Sequence, residues 1–136
     1  MLLLDSEALS AEAHGPTLRQ QVVRAAIAAA RDREEPIATS AAVLAEVVRG
    51  KPRDAGIHAA LRRERIAVMA VDGTVGIRAG RLLEATGSGS ERAVDAFLVA
   101  TGDPRRSACV LTSDLGDIRL LAAHASDVHV LDLDAP

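Results

Sequence analysis

The chain has 136 residues, 49% hydrophobic and 26% charged, which suits one domain with a real core and excludes disorder as the main state. Its single Cys excludes an intrachain disulfide and any zinc site built on two or more thiolates, and one Phe with no Trp or Tyr removes the aromatic platforms on which many RNA binders stack bases. The formal net charge of −3 gives no global field for nucleic acid, and the lack of any apolar run near the about 18 residues of a membrane span, or of a signal-peptide pattern, predicts a soluble, cytoplasmic protein.

The predicted elements alternate. Leu2-Leu3-Leu4 is a short strand ending at Asp5. Residues 17–33 read as a helix with Leu18, Val22, Ala25, Ala26 and Ala29 on one face, stopped by Pro36. Ile37-Ala38 is a short strand, and Ser40 caps a helix over 41–48 that Gly50 and Pro52 end. A basic helix covers roughly 54–64, and Ile66 to Val71 is a strand. A helix over 74–86 closes at Gly87, the loop Gly87 to Ser90 follows, and 91–101 is the most apolar helix. Ala108 to Leu111 is a strand, 115–124 a helix, and Val128 to Leu131 the last strand. Strands separated by helices require crossovers, so the expectation is an α/β fold: a single-domain α/β/α sandwich over residues 1–136 with a central, mostly parallel sheet. Sites in such sheets lie at the carboxyl ends of the strands.

Four carboxylates stand out of place. Asp5 and Asp114 follow apolar strands, with Asp117 one helical turn beyond Asp114. Glu46 interrupts Ala41 to Val48, and Asp95 interrupts Ala93 to Ala100. A helix apolar nearly all round is buried, and an unpaired carboxylate inside it is costly, so Glu46 and Asp95 each call for a basic partner, a shared proton or a metal. If the four converge, each pair at about 5 Å repels by roughly 3 kcal/mol at an effective dielectric of 20. A divalent cation offsets that cost, and all-oxygen ligation points to Mg²⁺ or Mn²⁺. Each acid also has a structural reading: Asp5 or Ser6 caps a helix starting at Glu7, Asp114 caps the helix at 115, and Asp95 pairs with a buried Arg. Asp72, another acid beyond an apolar run, reads as a cap.

The basic residues are uneven. Arg49, Lys51, Arg53, Arg62, Arg63 and Arg65 fall within residues 49–65, where they form either a phosphate-contacting patch or a solvated helix and loop. Lys51 is the sole lysine, and Arg makes up the rest of the 16 basic residues.

Leu4-Asp5-Ser6, the run Leu44 to Gly50 around Glu46, the run Val94 to Ala100 around Asp95, and Val110 to Ile118 around Asp114 and Asp117 stand in an order that resembles PIN-domain proteins of the VapC type. Ala79-Gly80-Arg81-Leu82-Leu83 adds to the likeness, which spans essentially the whole chain. The resemblance implies a PIN-like fold and a Mg²⁺- or Mn²⁺-dependent endoribonuclease that hydrolyses RNA phosphodiesters, often a toxin neutralised by an antitoxin protein and commonly a homodimer. It also implies roles: Asp5, Glu46, Asp95 and Asp114 as the core catalytic and metal-binding acids, Asp117 as an additional ligand, Thr112 and Ser6 in support, and the basic set at residues 49–65 on the RNA. The polar, Pro-containing run Gly102 to Arg106 departs from the family pattern.

Three rival readings have sequence tests. An aspartyl-phosphate protein needs a lysine near its phosphoryl site, usually late in the chain, and Lys51 lies mid-chain. A nucleotide-binding fold needs a glycine-rich turn after a strand, whereas Gly87-Ser88-Gly89-Ser90 follows a helix. A non-catalytic module of the same fold, or a housekeeping nuclease without an antitoxin, remains alongside the toxin reading.

Overall fold

Three consecutive leucines suit a strand covered on both faces, where side chains pointing either way are buried. In the computed structural model, which describes residues 1–135, β1 (Leu2–Leu4) is the middle strand of a five-stranded sheet, and all three side chains are buried. β2 (Ile37–Ser40) and β4 (Ala108–Thr112) flank it, and β3 (Ala67–Met69) and β5 (Val128–Asp132) are the edges. Every pairing is parallel, so the order is β3-β2-β1-β4-β5. The expected α/β/α sandwich is the architecture found.

The crossovers set the two helical layers. α1 (Ser6–His14) and α2 (Leu18–Asp32) join β1 to β2, and α3 (Ala41–Val47) and α4 (Asp54–Arg63) join β2 to β3. α1 packs on α2 and α4 on one face of the sheet. The chain then returns through α5 (Gly73–Thr86), a 3₁₀ turn (Ser90–Arg92) and α6 (Ala93–Thr101) to β4, on the far side of β1. α7 (Leu115–Ala122) leads to β5 and packs on α6, which also packs on α5. The direction of winding therefore reverses between β1 and β4. At such a switch point the adjacent strands send their connections to opposite faces and leave a crevice at their carboxyl ends.

Several expectations change in detail. α1 is a separate nine-residue helix, with Asp5 as its cap: the Ala8 N–H donates to Asp5 Oδ1 at 2.7 Å. β3 is three residues rather than the run Ile66 to Val71, because β2 offers partners only as far as Ser40, opposite Met69. The stripe Leu18, Val22, Ala25, Ala26, Ala29 is not the buried face of α2. Gln20, Val23, Ile27 and Ala30 are, while Leu18 is 79% exposed. Alanines surround this helix, so its hydrophobic pattern has too little contrast to fix the direction of the core. Gln20 is buried because its amide donates to the Glu12 carbonyl at 3.0 Å, closing α2 onto α1. Among the described residues no helix is long and apolar enough to cross a membrane.

One ionic cluster holds the first helical layer together. The Glu12 side chain is fully buried, with Arg63 of α4 at 2.5 Å and Arg24 of α2 at 3.3 Å, and both arginines are about half exposed. The asymmetry orders the expected losses. Removing both guanidinium groups strands a buried charge, which costs about 3–5 kcal/mol. Removing the carboxylate leaves two cations that reach water, at a cost of about 1–2 kcal/mol. Urea unfolding should therefore place Arg24→Ala/Arg63→Ala well below Glu12→Gln, and equal losses would contradict this account.

Candidate metal centre

The parallel register brings the strand-end acids together. Leu4 pairs with Leu111, so Asp5 lies beside Thr112, and Asp114 follows two residues later. The Asp5 N–H donates to the Leu111 carbonyl at 3.3 Å, and the Thr112 hydroxyl accepts the Asp114 N–H at 2.9 Å. Asp114 caps α7 through the Asp117 N–H at 3.2 Å, which fixes Asp117 in the first turn. Asp95 occupies the first turn of α6, which packs on α7. Carboxylate oxygens of Asp95, Asp114 and Asp117 lie within 4.8 Å of one another. Asp5 and Asp114 each cap a helix, one of the readings the sequence offered, and Asp114 also joins the close acid trio.

The electrostatics extend the group to five. Asp95 is half-buried, and its pKa is pushed up to about 6, first by burial and then by the charges of Asp114, Glu46, Asp117 and Asp5. Asp5 is 7% exposed, and burial raises its pKa against the opposing pull of the Ala8 N–H and the Thr112 hydroxyl. The N-termini of α1, α6 and α7 point their partial positive charges at this end of the sheet and reduce the repulsion.

Two acids differ from expectation. Glu46 is exposed rather than buried, because α3 makes fewer than two turns and commits only Val43 and Val47 to the core. Its helix looked apolar all round because its outward positions are alanines. Glu46 therefore needs no buried partner, and its charge acts on Asp95 from an exposed position. Asp117 belongs to the tightest trio, whereas Asp5 and Glu46 stand outside it. Ser6 opens α1 directly behind Asp5.

Sequence reasoning passed over Arg92, although it stands three residues before Asp95. Its Nε lies 2.8 Å from Asp117 Oδ1, and its Nη1 donates to Ser88 Oγ at 3.2 Å. Among the described residues it is the cation that ion-pairs with any of the five acids, so one guanidinium faces five carboxylates. The legible signal was the i, i+3 spacing on a helix start.

The basic set divides. Arg49, Lys51 and Arg53 lie on the loop after α3, which the Asp54 carboxylate fixes by accepting the Arg49 and Lys51 N–H groups at 2.8 and 2.9 Å. Their side chains are exposed. Arg62, Arg63 and Arg65 precede β3 and so fall at the amino-terminal end of the sheet, away from the acids. Arg63 is also engaged with Glu12 and Glu64.

No family model, curated protein or solved structure matches this chain.

The raised Asp95 pKa has a definite consequence for stability. Between about pH 4 and 6 the folded chain holds a proton that the unfolded chain has released, so stability falls as pH rises through this window. Asp95→Asn removes the effect. In EDTA at about pH 8 the variant should gain about 1 kcal/mol, or about 3–5 °C in melting temperature, after discounting for the partial exposure of the carboxyl. The gain should vanish below about pH 4. Thermal melts across this range check both the sign and the window.

Proposed function

We propose that this chain is a divalent-metal-dependent endoribonuclease of the PIN-domain type. The observation that carries the reading is the gathering of Asp5, Glu46, Asp95, Asp114 and Asp117 at the β1/β4 switch point, where burial and then the neighbouring acids' charges raise the Asp95 pKa to about 6. Carboxylate oxygens alone suit Mg²⁺ or Mn²⁺. Asp95, Asp114 and Asp117 would hold the ion, and Asp5 and Glu46 would add negative charge beside it. When bound, such an ion polarises a phosphoryl oxygen and lowers the pKa of coordinated water.

The chain's own groups have distinct tasks. Thr112 and the first turn of α7 hold Asp114 in place. The Ala8 N–H orients Asp5. Arg49, Lys51 and Arg53 flank the helix that carries Glu46 and would contact the RNA backbone, and the lack of stacking aromatics leaves selectivity to RNA shape and hydrogen bonding. Arg92 neutralises Asp117 until a competing cation takes its place. The same resemblance supports a cytoplasmic toxin, acting as a homodimer and neutralised by an antitoxin protein.

A second reading, a non-catalytic module of the same fold, is favoured by the Arg92–Asp117 ion pair and by the capping roles of Asp5 and Asp114, which give three of the acids structural work.

Cleavage of a mixed RNA substrate should require Mg²⁺ or Mn²⁺ and stop in EDTA. Asp95→Asn should lose more than about 100-fold in rate, since even groups that only support metal ligands are worth 10–100-fold. Mg²⁺ should raise the melting temperature of the parent chain and not of Asp95→Asn. Stabilisation by Mg²⁺ with no cleavage would select the non-catalytic reading. Wild-type cleavage by Asp95→Asn would remove the acid cluster from the reaction.

Within the nuclease reading, Arg49→Ala/Lys51→Ala should raise KM for RNA about tenfold with little change in kcat, because each exposed cation contributes by screened attraction to phosphates. Arg62→Ala/Arg65→Ala, at the far end of the sheet, should leave KM unchanged. Steady-state cleavage at two salt concentrations separates the two pairs.

A further inference from the structure

At the end of the sheet opposite the acids, a cavity of about 240 Å³ opens between α5, the C-terminal ends of α6 and α7, and the start of β5. Arg78, Arg81, His124 and Ser126 supply its polar wall, and Leu82 and Val99 part of its apolar floor. No Asp or Glu lines it. Among the described residues, none of the ion pairs involves Arg78, Arg81 or His124.

Arg78 is held in a fixed pose. Its Nη2 donates to the carbonyls of Ala100 and of Gly102, the latter at 3.0 Å, at the C-terminal end of α6. Those carbonyls carry only the partial negative charge of a helix end and do not neutralise a guanidinium. Its Nε is buried and has no acceptor in the protein. Arg81 follows on the same face of α5 at i, i+3 and brings a second fork of donors to the same opening.

We propose that this cavity binds a phosphate monoester of the nucleotide class. Arg78, Arg81, His124 and Ser126 line one cavity that no carboxylate borders, which suits a compact anion with several acceptor oxygens. The apolar floor gives the ester's organic part a surface to cover, and that distinguishes the site from one for a bare anion. The site shares no residue with the acid cluster and stands whether or not the chain cleaves RNA.

Calorimetric titration in EDTA, with adenosine monophosphate, inorganic phosphate and adenosine as probes, tests this. The nucleotide should bind saturably, inorganic phosphate more weakly, and adenosine not at all. Arg81→Glu, a change at an exposed position, should weaken nucleotide binding at least about tenfold. Arg62→Ala/Arg65→Ala, which do not line the cavity, should leave it unchanged. Arg78 variants also remove the α6 contact, so Arg81→Glu and His124→Ala carry the test, with unchanged melting curves as the folding check. Tighter binding of 5′-phosphorylated than of 5′-hydroxyl RNA would name an RNA end as the source of the phosphate, and equal binding of the two would name a free nucleotide. Absence of saturable nucleotide binding at millimolar concentration, equal binding of adenosine, or full binding by Arg81→Glu would overturn the proposal.

Discussion

Like charges brought close and kept there are the constraint on which this structure turns. Five carboxylates from β1, α3, α6, the end of β4 and α7 meet at one end of the sheet, and one guanidinium answers them. The fold bears the repulsion because the acids sit where backbone groups help. Asp5 and Asp114 accept N–H groups at helix starts, and Asp95 lies in the first turn of a third helix. Each of these helix ends is worth some tenths of a kcal/mol to about 1 kcal/mol, less than a single close pair of unscreened carboxylates costs. The balance is left on Asp95, whose pKa moves instead.

The other charged cluster makes the opposite choice. Glu12 is buried as deeply as any carboxylate in the chain, yet two arginines reach it from different helices and keep their stems and part of their heads in water. There the charge is balanced locally and its role is to join α1, α2 and α4. One sequence thus places carboxylates in two electrostatic settings, one closed by cations and one left open. An open setting of this kind at a topological switch point marks a candidate site in physical terms.

Much of this was legible in the chain itself. Leu2-Leu3-Leu4 announced a strand, though not its central place, Ser40 marked a helix start, and Gly87 closed α5 with a φ of 61° that suits glycine. The strand-end position of Asp5 and Asp114 was visible because an acid after an apolar run is conspicuous. Alanine was the main source of error. It is neutral enough to sit on any face, so it disguised the exposed side of α3 that carries Glu46 and turned the apparent stripe of α2 away from its true core, Val23 and Ile27. Arg92 stands in plain reach of Asp95 in the sequence and was passed over; its pairing with Asp117 instead depends on the packing of α6 on α7. The separation of the basic residues into two groups also depends on topology, since α4 carries the later three away from the site.

β3 has a further consequence. It is an edge strand of three residues, exposed throughout, with Val68, Met69 and Val71 presenting apolar surface around it. An open edge of that composition invites another chain to add a strand. Here the invitation is kept short. Arg65, in a left-handed conformation with φ of 49°, bends the backbone before the strand, and Asp72 turns it into α5 directly after. A strand of three residues leaves too few unpaired backbone groups for a long ladder, and the charges of Arg65 and Asp72 on either side of it oppose extension, which guards the protein against sheet-to-sheet aggregation.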